Sequence, residues 1–149
     1  MTITFEFLNE KHLQQITEWH KEPETLYRVS IEDTDTWFKS VSSNLDYFVW
    51  VAIEDNELVG EVIVELIDYK KAVIAFIVNP KLRKQGYGKK LIRCLLDYRY
   101  LKEINEFEAW VDDDNVGSIK CVEAVGFLKA TFQIDDDQIK YVYKRRKQD

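Results

Sequence analysis

Apolar residues near the start of the chain change their spacing several times. In ITFEFL, Ile3 to Leu8, they alternate with polar ones, the pattern of a strand with one buried face. From Asn9 the period lengthens. Leu13, Ile16 and Trp19 recur at three-residue steps, which predicts a helix capped by Asn9 and running to about Glu22, with Pro23 just past its end. Trp37, Phe38 and Val41 place a second helix over Thr34 to Ser43. The period then returns to two. YFVWVAIE, the turn DNE and LVGEVIVELID read as a hairpin of two long strands. KKAVIAFIVN is almost wholly apolar after its two lysines, which predicts a central strand buried on both faces.

Helical spacing resumes from Lys84 to about Leu101, through Leu91, Ile92, Leu95 and Tyr98. INEFEAWVD alternates as a strand. DDDNVGSIKCVEAVG is a short helix, capped by Asp114 or Asn115 and stopped by Gly126. FLKATFQI, DDDQ and KYVYKRR close the chain as a hairpin. The order β-α-α-β-β-β-α-β-α-β-β predicts an α/β (α+β) architecture, a mixed, mostly antiparallel sheet with helices on both faces. With 149 residues, no repeat and no Pro/Gly-rich linker, one domain over residues 1–149 is expected.

Composition narrows the function classes. No apolar run approaches the length of a membrane span, and MTITFEFLNEKHL lacks the layout of a signal peptide, so a cytoplasmic protein without membrane contact is expected. Cys94 and Cys121 both fall in predicted helices, as small hydrophobes do in a reducing compartment. No Cys/His spacing calls for a metal. Charge is uneven: residues 1–60 hold 12 acids and 4 bases, whereas Lys81 to Lys102 hold eight bases and one acid. One short basic patch in a chain of pI near 5.1 argues against nucleic acid. It fits a small anionic ligand beside an acidic region that favours a cationic one.

The basic patch sits in VNPKLRKQGYGKK, between the central strand and the long helix. A helix start offers unpaired amides and a positive dipole end. Gly86 and Gly88 admit close backbone approach, and Arg83, Lys84, Lys89 and Lys90 add charge, so the loop suits a phosphate or pyrophosphate. It is neither GxxxxGK[ST] nor GxGxxG after a first strand.

RKQGYG, one further strand, and then NVGSIKCVEAVGF together resemble the acetyl-CoA-binding core of the GCN5-related N-acetyltransferases. The resemblance is strong from Leu58 to Phe127 and fits the whole order of elements. It implies that the central strand splays from its neighbour and that pantetheine lies along Phe76, Ile77 and Val78. It also implies that Arg83, Lys84, Gln85, Gly86, Tyr87, Gly88 and Lys89 cradle the pyrophosphate, with Asn115 on the cofactor arm. Acetyl-CoA is then the co-substrate, and no metal is required, because an amine attacks a thioester unaided by one. The first segment and terminal hairpin are similar to aminoglycoside 6′-N-acetyltransferase and ribosomal-protein N-acetyltransferase members of that family.

The same resemblance exposes departures. Many members carry a tyrosine where this chain has Val122, so Ser118, one turn earlier, is the candidate proton donor to the leaving thiolate. Asp112, at the end of FEAWVD, is the candidate general base, with Glu61, Glu65 or a water relay as alternatives. The resemblance implies that the N-terminal part walls the acceptor site, and its acidity, with Glu22, Glu24, Glu32, Asp33 and Asp35, then favours a cationic acceptor: a polyamine, an aminoglycoside or a peptide amine. A homodimer is compatible with this pattern. The rival expectation is a non-catalytic acyl-CoA-binding or regulatory module on the same fold.

Overall fold

The computed structural model describes residues 2–135 and 137–145. It contains β1 (Thr4–Phe7), α1 (Leu13–Lys21), α2 (Pro23–Val29), α3 (Thr34–Ser42), β2 (Tyr47–Glu54), β3 (Glu57–Asp68) and β4 (Lys71–Val78). α4 (Tyr87–Leu96), β5 (Glu106–Asp112), α5 (Val116–Val125), β6 (Leu128–Asp135) and β7 (Gln138–Lys144) follow. The strands form one seven-stranded sheet in the order β1-β2-β3-β4-β5-β7-β6. Every neighbouring pair is antiparallel except β4 and β5. This is the mixed, mostly antiparallel sheet that the periodicity predicts.

Three local departures matter. Pro23 does not merely follow a helix; it is the first residue of α2, a helix the apolar spacing did not reveal. Proline suits that position because its missing N–H would be unpaired there anyway. The long helix begins at Tyr87 rather than Lys84, because Lys84 (φ 64°) and Gly86 (φ 85°) both adopt left-handed backbone. β4 is the fourth of seven strands and thus central, but only Ala72, Ile74 and Ile77 are buried along it, and Ala75 is exposed. Its apolar run reflects an open groove over part of the strand, not burial on both faces.

The two faces of the sheet carry different packing. One face holds the main core, where Leu91, Ile92 and Leu95 of α4 and Val122 of α5 meet Trp50, Val62, Ile74 and Phe107. Each fully buried aliphatic side chain of this kind is worth about 1.5–3 kcal/mol. The other face has a smaller cluster, Ile16 and Trp19 of α1 on Val51 and Ile77. α2 and α3 add little to either core: the one buried residue of α2 is Thr25, and that of α3 is Thr34. Among the described residues no helix is long and apolar enough to cross a membrane.

Candidate active site

β4 and β5 pair in parallel only from Lys71 opposite Glu106 to Ile74 opposite Ala109. Beyond that point β4 stays on β3 as far as Val78 opposite Gly60, and β5 stays on β7 as far as Asp112 opposite Gln138. Each strand follows its outer neighbour, so Ala75 to Val78 face Trp110 to Asp112 without a ladder between them. The opening exposes strand edge in mid-sheet, where backbone N–H and C=O groups need partners. Two cavities meet at it, and Arg28, Val29, Phe76, Asn115 and Ser118 line both.

The first cavity, about 500 Å³, runs along β4 to the start of α4. Of the residues expected to hold a cofactor, Phe76, Ile77, Val78, Arg83, Lys84, Gly86, Tyr87, Gly88 and Asn115 line it, whereas Gln85 and Lys89 do not. The two glycines do different work. A Cβ on Gly86 would meet nothing within 4 Å, so its left-handed backbone keeps the approach to the helix amides open. A Cβ on Gly88 would lie 2.6 Å from Cys121 Sγ, so this glycine lets α4 pack closely on α5. Arg83 here already has partners. Arg83 donates to Glu22 and to Thr25 Oγ1, and that guanidinium, with the Glu24 and Thr25 amides, outweighs burial and draws the Glu22 carboxyl down to about 2. The Tyr87 hydroxyl donates to Glu54 at 2.7 Å, and the Lys90 ammonium lies over the Tyr87 ring.

The second cavity, about 660 Å³, lies between α3 and the ends of β4 and β5. Trp37, Tyr47 and Trp110 give it aromatic walls, and Glu32, Asp33 and Asp112 supply three carboxylates against the single guanidinium of Arg28. Asp112 opens onto this cavity, with Oδ1 accepting from Gln138 at 3.1 Å and Oδ2 from Arg28 at 2.9 Å. Ser118 is, among the described residues, the one hydroxyl side chain lining both cavities; its amide is capped by Asn115 Oδ1 at 3.2 Å. Cys121 lines only the first cavity, and burial pushes its thiol pKa up against the pull of Lys89, which suits packing rather than nucleophilic attack. Val122 is fully buried in the core. Glu24 lines the first cavity, and Asp35 lines neither. Trp19 is buried and Tyr27 is 65% exposed, so neither forms part of the aromatic walls.

Arg28 is the site residue that sequence reasoning missed. It donates to Glu24 at 2.9 Å, to Asp112 at 2.9 Å and to Asp114 at 2.6 Å, tying α2 to the end of β5 and the loop before α5. Burial alone would favour its neutral form, but hydrogen bonds to Asp114, Asp112 and Glu24 outweigh that and hold it charged. The available signal was PETLYRV itself, with proline at a helix start and Glu24 four residues before Arg28.

The expected alternatives to Asp112 lie elsewhere. Glu65 is exposed and lines neither cavity. Glu61 is 0% exposed and accepts from, or shares a proton with, His20, also 0% exposed, at 3.0 Å. Burial raises the Glu61 carboxyl pKa, and the contact with His20 opposes the rise. His20 Nδ1 lies 2.9 Å from Thr34 Oγ1, and its ring meets Trp37 edge-on. Removing one partner of such a buried pair typically costs about 3–5 kcal/mol. Among the described residues no group of three or more His, Cys, Asp or Glu side chains forms a metal-binding cluster.

Residues 13–127 match the acetyltransferase (GNAT) family. The chain is 27% identical over 134 residues to the uncharacterized N-acetyltransferase YfmK of Bacillus subtilis (strain 168), covering 89% of this chain and 90% of that protein. Its fold is similar to AAC(6′)-Ib, solved with paromomycin and acetyl-CoA, with a TM-score of 0.84 and 17% identity over 97% of this chain and 94% of that one. It is also similar to spermidine N-acetyltransferase from Vibrio cholerae, solved with CoA and spermine, with a TM-score of 0.82 and 18% identity over 96% of this chain and 95% of that one.

Proposed function

The chain belongs to the acetyltransferase (GNAT) family, and we propose that it moves acetyl from acetyl-CoA to a primary amine of a cationic acceptor, by direct attack in a ternary complex. The observation that carries this reading is the divergence of β4 from β5 after Ile74 and Ala109, with a glycine-containing helix start at one end and an acidic, aromatic cavity at the other. The free edge from Ala75 to Val78 suits the amides of pantetheine. The Gly86 turn and first amides of α4 suit its pyrophosphate. Arg83 and Lys84 add charge there, Arg83 by releasing Glu22. Lys89 lies outside the cavity lining, so its contribution is a weaker, longer-range one, and neutral Gln85, also outside it, is given no role.

The second cavity takes the amine. Its volume is that of a small-molecule site or a peptide end, and its three carboxylates against one guanidinium favour a cation. Spermidine-like polyamines and aminoglycosides are the acceptor classes that the fold neighbours bind. In the reaction the amine nitrogen bonds to the thioester carbonyl carbon, and the carbon–sulfur bond breaks. Two protons leave the nitrogen. Asp112 takes one, directly or through water, and passes it to solvent; the other ends on the departing sulfur, with the Ser118 hydroxyl as donor and relay. Backbone N–H groups of Phe76 and Val78, which alternate with the β3-facing Ile77 along the free edge, meet the developing oxyanion. An acceptor ammonium competes with Arg28 for Asp112, and Arg28 keeps Glu24 and Asp114 when displaced.

The test is release of free CoA thiol from acetyl-CoA on adding spermidine, spermine, kanamycin and a peptide with a free N-terminus, beside calorimetry with CoA alone. Thiol release with at least one of these amines is expected. CoA binding without release to any of them would favour the non-catalytic acyl-CoA-binding module. No CoA binding at all would refute the placement of the co-substrate.

A further inference from the structure

We propose that His20, Glu61 and Thr34 act as one buried positioning unit that fixes the wall of the acceptor cavity, holding α3 and its Trp37 in place. The inference rests on the acceptor reading of that cavity and adds which residues set its shape.

It starts from what α3 lacks. Trp37, Phe38 and Val41 are only half-buried, and the one buried residue on the helix is Thr34, whose relevant atom is a hydroxyl. Apolar burial therefore anchors α3 weakly, in contrast to α4 with Leu91, Ile92, Leu95 and Leu96 buried. Yet α3 is where the cavity needs definition. Asp33 caps the helix, Thr36 is tied to Asp33 through both its amide and its hydroxyl, and Trp37 lies one residue on; all three line the cavity.

The polar unit supplies the missing anchor. Thr34 Oγ1 lies 2.9 Å from His20 Nδ1, and His20 Nε2 lies 3.0 Å from Glu61 Oε2. With Nε2–H donating to Glu61, Nδ1 keeps its lone pair and accepts from the Thr34 hydroxyl, so the donors and acceptors along the chain agree. Glu61 is opposite both Val51 and Ile77 in the sheet, which makes it a fixed post in rigid structure. His20 belongs to α1, whose Ile16 and Trp19 are buried on that same face. The unit thus runs from the sheet, through α1, to the first turn of α3. The His20 ring also packs edge-on against Trp37 at 5.2 Å, so it sets both the helix position and the orientation of the aromatic wall. None of the three residues lines either cavity. They act through α3 and touch no reacting group, which makes them positioning residues.

Thr34→Val keeps the side-chain shape and removes the hydroxyl; Thr34→Ser keeps the hydroxyl. In hydrogen–deuterium exchange the amides of residues 34–42 in Thr34→Val should exchange about tenfold faster or more, equivalent to about 1.4 kcal/mol, with α4 unchanged. With spermidine or kanamycin as acceptor, KM should rise by a similar factor while kcat and CoA affinity stay near wild type. Thr34→Ser should restore both readouts, and Glu61→Gln, which keeps a hydrogen bond to His20, should be closer to wild type than Glu61→Leu. Unchanged α3 exchange in folded Thr34→Val overturns the unit. So does a parallel loss of α4 protection and CoA affinity, which would make it a general core element. If the wild-type protein acetylates none of spermidine, spermine, kanamycin and a peptide with a free N-terminus, the acceptor reading fails, while the exchange measurement still decides whether the unit anchors α3.

Discussion

The two ends of the groove are built by opposite means. At the end proposed for the co-substrate, α4 rests on apolar burial, and the loop before it is shaped by left-handed backbone at Lys84 and Gly86. About half of the residues lining that cavity are close in sequence, from Phe76 to Gly88; α2 and the start of α5 supply the rest. At the end proposed for the acceptor, α3 buries a single threonine and hangs on polar contacts, as does α2, which borders both cavities. Those contacts join residues far apart: Arg28 to Asp112 across 84 positions, His20 to Glu61 across 41. A nearly constant co-substrate can be held by a rigid, locally encoded element. An acceptor wall held by a few hydrogen bonds can be reshaped by single substitutions without loss of the core.

The largest effect that would sharpen this contrast is at Asp112. Asp112→Asn should lower kcat by about 10²-fold or more while CoA affinity stays unchanged, because the general-base role proposed for Asp112 acts on chemistry and the residue lies outside the cavity proposed for CoA. A kcat within about threefold of wild type would move the proton transfer to a water relay. Next is Gly86→Glu, which puts a negative side chain into open space at the helix start. CoA affinity should fall by about tenfold or more, about 1.4 kcal/mol, with the fold retained. Equal CoA titrations for mutant and parent would break the assignment of that end.

Smaller effects belong to the ties across the groove. Arg28→Gln removes the internal cation from Asp112, so KM for spermidine should fall by up to about fivefold, the span of a partly exposed ion pair. A rise instead would mean that Arg28 matters more as the tie between α2 and the loop before α5. The smallest concerns acid stability. Glu22 is drawn down to about 2 in the folded chain, below its ordinary value of 4.5. Its contribution is therefore full above the ordinary value and is lost as pH falls from about 4.5 towards about 2. Glu22→Gln should lower stability by a constant amount from about pH 5 upwards and flatten the curve between about 4.5 and about 2, where the two proteins converge; an unaltered acid limb in thermal melts would show that the Arg83 pair is weak in solution.

The sequence alone determined the order of the strands and of every helix but α2, the hairpins, the central place of β4 and the glycine-shaped helix start. These depend on spacing of two or three to four residues and on proline, glycine and capping side chains, all of which act over a few positions. It also brought Asp112 and Ser118 forward as candidates from the ends of β5 and the start of α5. Tertiary structure alone decided which carboxylate faces a cavity and which is buried. Glu61 and Glu65 look equivalent in LVGEVIVELID, yet one lies against His20 in the interior and the other is exposed. Alternation assigned both to the same face but carried no information on what covers each part of that face. The helix that places Arg28 was likewise hidden, since its single buried residue, Thr25, gives no apolar period to read. Polar contacts between distant residues leave no periodic trace in a chain, because their geometry exists only after the sheet and helices have packed.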